Sequence, residues 1–178
     1  MKNNIKTFAL TFLFGVLLCI LGGYIVYGTS IFEVGTPLFQ FVSFALIGSL
    51  AFYLFSIRKF YVAGVSLAAL FVGLYYLNGQ QHLIGHSFYF VTFIISIFIY
   101  AVLIFDHLKL AWYIRPMILA AMISIFFVSN TFFLFLIYQE EVRSAAVFKN
   151  MWVGLLIGVG LGIGFEVANI IAERNTSN

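Results

Sequence analysis

The chain has 178 residues, 63% of them hydrophobic and 8% charged, with nine Lys and Arg against six Asp and Glu for a net charge of +3. Ordinary soluble domains carry roughly 25% charged residues. From Phe60 to Phe105 this chain carries no Lys, Arg, Asp or Glu at all, so the sequence has to be read with a bilayer as its solvent.

A crossing helix takes about 20 apolar residues, and six tracts qualify. They run over residues 7–27, 37–57, 60–77, 87–105, 116–138 and 151–172. The first follows Lys2 and Lys6. It is too long for the apolar segment of a cleaved signal, and Gly28-Thr29-Ser30 makes a poor cleavage site, so it reads as a retained span. Its Cys19 is the only cysteine, which leaves no disulfide framework or thiolate metal cluster. Pro37 and Pro116, the only prolines, open the second and fifth tracts, where a missing N–H costs least. Arg58 and Lys59 alone separate tracts two and three. Two adjacent cations at mid-bilayer would each cost about 2.5–3.5 kcal/mol, so a tight turn at the membrane surface is expected there.

The connection after the third tract carries His82 and His86, four apart as two ligands on one helix face would be. Gly85 and Asn78-Gly79 argue against a helix there, and no third ligand stands out, so the pair is a weak candidate metal site. Asp106, His107, Lys109 and Arg115 lie in the connection between tracts four and five. This basic stretch offers the broadest surface for a cytosolic protein partner. The fifth tract contains Asn130 in mid-span, and an amide in hydrocarbon must find a partner. Gln40, Ser43, Ser49, Ser66, Thr92 and Ser96 are the available ones.

The sixth tract is the most specific. Gly154, Gly158 and Gly162 recur every four residues, with Gly160 and Gly164 as an adjacent pair. In lipid such spacing lets two helix backbones approach closely. The partner helix lies either in the same chain, which is slightly favoured, or in another copy. Glu166 follows, the only acidic residue well inside a span. A carboxyl at that depth is neutral, paired or functional. One reading is a proton or cation site with Asn169 one turn away and Asn130 as a further polar group. The other is a carboxyl near the inner boundary that reaches water or pairs with Arg174, Lys109 or Arg115.

The positive-inside rule places Lys2, Lys6, Arg58, Lys59, Lys109, Arg115 and Arg174 in the cytosol and only Arg143 and Lys149 outside. The expectation is therefore an all-α, polytopic bundle of six transmembrane helices forming a single domain, with both termini cytosolic. A bacterial cytoplasmic membrane is its expected location. No stripe of basic residues could follow a phosphate backbone, so membrane lipid, a second copy of the chain and a cytosolic protein are expected partners, and nucleic acid is not. Paired intramembrane aspartates, a GxSG nucleophile, a Cys–His pair and intraspan haem histidines are all missing from the sequence. Hence neither an enzyme nor a cofactor is expected. A non-enzymatic membrane subunit, anchoring or signalling to a partner and able to form a pore, is the first reading. A small proton- or cation-coupled transporter using Glu166 is the second.

Overall fold

The computed structural model describes residues 2–32, 37–56, 83–105, 107–108, 110–138 and 143–176. All regular structure among them is helical. Helix α1 (Lys2–Tyr27) ends at Gly28, whose φ of +57° lies in the left-handed region that glycine enters without steric cost. A 3-10 turn over Gly28–Phe32 follows. Helix α2 (Pro37–Ser56) starts on its proline. Helix α3 (Leu83–Ile99) runs on into a π-helical segment, Tyr100–Phe105. Helix α4 (Ile114–Tyr138) holds Pro116 in its first turn, where no intrahelical donor is needed. Helix α5 (Ser144–Thr176) completes the set.

Among the described residues, three helices are long and apolar enough to cross a membrane: Ile5–Ser30, Ile114–Leu136 and Ser144–Ala172. Phe41–Phe55 and Val91–Phe105 are shorter apolar helices. Their outward faces suit hydrocarbon, with Leu13, Leu17, Leu21 and Ile25 on α1 and Ile125, Phe132 and Leu136 on α4 exposed. These features are compatible with an integral membrane protein. The tract at 60–77 and the Arg58-Lys59 turn lie outside the described residues. Helix α5 starts at Ser144 rather than at Met151, because polar turns with good helix formers extend a helix beyond its apolar part. At about 1.5 Å per residue, its 33 residues outrun a hydrocarbon core of about 30 Å.

Helix α5 is the axis of the bundle, and its glycines set the packing. A Cβ on Gly154 would meet Ser124 Cα at 2.8 Å, one on Gly158 would meet Ala120 Cα, and one on Gly162 would meet Pro116 Cα at 2.8 Å. One face of α5 thus lies backbone to backbone against α4, running antiparallel. The other pair lies against α1, again antiparallel: a Cβ on Gly160 would meet Gly15 Cα at 3.1 Å, and one on Gly164 would meet Thr11 Cα at 2.8 Å. Carbonyl oxygens of Gly15 and Thr11 sit beside these same positions at 3.1 and 3.0 Å. Such approaches favour weak Cα–H···O contacts that wider helix pairs cannot make. Leu161, fully buried, projects from between these faces against Gly15 and Gly48, tying α2 to the axis.

Aromatic rings fill the remaining interior in two clusters. Phe44 of α2 meets Phe93 of α3 and Phe127 of α4 at centroid distances of 5.0 and 5.2 Å. Nearer the other end of α2, Phe52 stacks on Phe165 at 4.4 Å.

Thr11 carries a fully buried hydroxyl with no hydrogen-bond partner. Replacing an unpaired buried hydroxyl by an apolar group of the same shape removes a desolvation penalty of about 1–3 kcal/mol. Thr11→Val is therefore expected to leave the melting temperature in detergent unchanged or raise it.

Candidate functional site

The site forms at the end of the bundle where α3 finishes and α4 begins. Glu166 projects from α5 and is 3% exposed. Its Oε1 accepts a hydrogen bond of 2.7 Å from the Tyr100 hydroxyl. Its Oε2 lies 3.5 Å from Nη1 of Arg115. The Arg115 side chain is 19% exposed, so it approaches the carboxylate from the bundle end. Arg115 Nε donates to the carbonyl of Leu110 at 3.0 Å, and its guanidinium carbon lies 5.0 Å from the centroid of the Phe105 ring, a cation–π distance.

Apolar rings enclose these groups. Phe165 precedes Glu166 and contacts Phe52, Tyr100 and Phe105 at 4.4, 6.2 and 5.0 Å between centroids. Tyr100 also stands edge-on to Phe52 at 5.6 Å. Water is largely kept from the carboxylate, which strengthens its interactions with hydroxyl and guanidinium alike.

The π-helical segment makes this enclosure possible. On an α-helix, with 3.6 residues per turn, Tyr100 and Phe105 would point about 140° apart. The i→i+5 winding brings the two back toward one face, so that both meet Phe165. The segment's last carbonyls are satisfied locally. His107 Nδ1 is 2.7 Å from the Val102 carbonyl, and the Leu108 N–H donates to Leu103 at 3.2 Å.

Of the residues singled out in the sequence, Glu166 and Arg115 come together. Asn169 donates through its side-chain nitrogen to the Phe165 carbonyl of its own helix, at 2.8 Å. Asn130 lies in the second half of α4, remote from Arg115, and donates to Thr92 Oγ1 of α3 at 2.7 Å. A double-mutant cycle on Asn130→Leu and Thr92→Val is expected to give a coupling of about 0.6–1.7 kcal/mol, measured by unfolding in bicelles. Two other polar residues of α4 bind α5. Ser124 donates to the Met151 carbonyl at 2.9 Å, and Thr131 accepts from Asn150 at 2.8 Å.

Of the residues expected to face a partner, Arg115 turns its guanidinium toward Glu166, and His107 Nδ1 lies against the Val102 carbonyl. Asp106, Lys109 and His82 lie outside the described residues. His86 falls in the first turn of α3, and no cluster able to hold a metal ion exists among the described residues. The five glycines make helix contacts and take no part in the charged cluster.

Sequence reasoning missed Tyr100 and the aromatic walls. The signal for Tyr100 was present: a tyrosine inside an apolar tract rather than at its end needs an acceptor for its hydroxyl. Comparison of the chain with known protein families, curated proteins and solved structures finds no match.

Proposed function

We propose that the chain is a non-enzymatic integral membrane subunit, a six-span bundle with both termini in the cytosol, that presents its Arg115 end to a cytosolic protein. The observation that carries this reading is the Tyr100–Glu166–Arg115 cluster. The carboxylate of α5 holds together the π-helical segment that follows α3 and the start of α4, a fastening role rather than a reaction. The connection beside it displays Leu108, Trp112 and Tyr113, side chains suited to a partner or to the headgroup layer. Antiparallel packing of α1 on α5 brings Lys6 and Arg174 to this same end, which supports a common cytosolic side for the termini.

Crosslinking from photoreactive residues at 108 and 112 in intact cells tests the proposal. A single cytosolic protein should be trapped from these positions and not from position 149. Labelling from only the lipid phase, or from position 149 alone, would refute it. Second-copy association, expected through surfaces other than the glycine faces, is read from the same crosslinks.

A second reading, a small cation-coupled transporter, is favoured by one observation: the interior carboxylate sits among aromatic rings with a cation already beside it. Glu166→Gln in proteoliposomes tests it. Flux that is unchanged in the variant would remove Glu166 from any transport mechanism.

A further inference from the structure

The chemistry around the Arg115 side chain is more particular than a helix fastening requires. A buried ion pair holds helices no better than well-packed apolar residues of similar volume. Here the guanidinium meets three different kinds of group. Phe105 lies against it at 5.0 Å. The Leu110 carbonyl takes one edge at 3.0 Å, and the Glu166 carboxylate faces another at 3.5 Å. Aromatic surface beside a cation and acceptors around its rim match a planar, delocalised, weakly hydrated ion. A hard metal cation would want six or more oxygen ligands, whereas these contacts offer a carboxylate, a phenol and a carbonyl among hydrocarbon rings.

We propose that the space filled by the Arg115 guanidinium is a binding site for a guanidinium-headed organic cation, with Arg115 as its resident and displaceable occupant. Two features make the occupant displaceable. Its contact with Glu166, at 3.5 Å, is well beyond the 2.7–2.9 Å of a tight charge-assisted hydrogen bond. Its side chain is 19% exposed against 3% for the carboxylate, so it can swing out at the bundle end while Glu166 stays inside. A ligand arriving by the same route keeps the charge balance: one monovalent cation replaces another opposite one carboxylate. Tyr100, fully buried, holds the other carboxylate oxygen in place throughout. For its transport consequence the inference rests on the second reading above; for binding it does not.

The test uses the full chain in nanodiscs, with ethylguanidinium as the probe and ethylammonium as the control, followed by calorimetry. Arg115→Gln, which removes the resident cation but keeps a hydrogen-bonding side chain, should bind ethylguanidinium saturably and at least tenfold more tightly than the natural chain. Ethylammonium should bind at least tenfold more weakly than ethylguanidinium. Adding Glu166→Gln should abolish saturable binding. A monodisperse Arg115→Gln protein with no saturable binding, or binding indifferent to Glu166→Gln, would overturn the proposal. Should Arg115→Gln not fold, the natural chain decides: ethylguanidinium must raise the phenylglyoxal reactivity of Arg115, mapped by mass spectrometry, and an unchanged reactivity overturns the site. Binding without flux in proteoliposomes would end the transport reading and leave the site standing. Proton flux without ethylguanidinium binding would do the reverse.

Discussion

Gly158→Leu should yield no monodisperse protein in detergent, and Gly158→Ala should lose about 2–3 kcal/mol, the upper range for overpacking a tight interior. The cost arises because the new Cβ meets Ala120 Cα and lies 2.8 Å from Ala120 N. Backbone cannot rotate aside as a side chain does, so the two helices must separate. Separation would also pull apart Gly154 from Ser124 and Gly162 from Pro116, a whole row of contacts at once. Gly22 is the control. The atoms nearest to a Cβ there all belong to the Leu156 side chain, which can turn. Gly22→Ala should fall within about 1 kcal/mol of the natural chain, since alanine is the better helix former by about that amount. Thermal unfolding followed by size-exclusion fluorescence ranks all three. Equal losses at Gly158 and Gly22 would contradict the packing described.

The second large effect is expected at the charged cluster. Arg115→Met leaves the Glu166 carboxylate, 3% exposed, without its guanidinium. Breaking a buried pair in this way costs about 3–5 kcal/mol. Glu166→Gln should cost less, because the amide still accepts from Tyr100 and the partly exposed arginine can turn toward the bundle end. The double variant, with no charge at either position, should be more stable than Arg115→Met alone by about 2 kcal/mol. Denaturant unfolding in mixed micelles measures this cycle. Strict additivity of the two changes would mean the side chains do not interact.

Much of the architecture was legible because hydropathy and glycine spacing act locally. Pro37, Gly28 and the apolar tracts give helix limits close to those observed for α1, α2 and α4. The four-residue glycine repeat announces a close helix contact, yet not with which helix. The answer depends on small residues elsewhere, Pro116, Ala120 and Ser124 on one side and Thr11 and Gly15 on the other, whose spacing carries little signal alone. Glu166 stood out as a charge in an apolar tract, and Arg115 was among its three proposed partners. That Arg115 reaches it follows from the winding of residues 100–105 and from the Leu110 carbonyl that holds Arg115 Nε, neither of which has a sequence signature. Asn169, one turn from Glu166, looked well placed by spacing alone. Its side-chain nitrogen takes the Phe165 carbonyl of its own helix, a local backbone acceptor of the kind such side chains favour.

Helices α1 and α4 both rest their small-residue faces on α5, which leaves the ribosome after both of them. Until it arrives, two grooves shaped for close backbone contact face lipid that cannot fill them, and Glu166 is not yet present to receive Arg115. Maturation of this protein therefore has a concerted step in which α5 slots between elements inserted before it. Chains stalled ahead of Ser144 would be natural clients of membrane quality control.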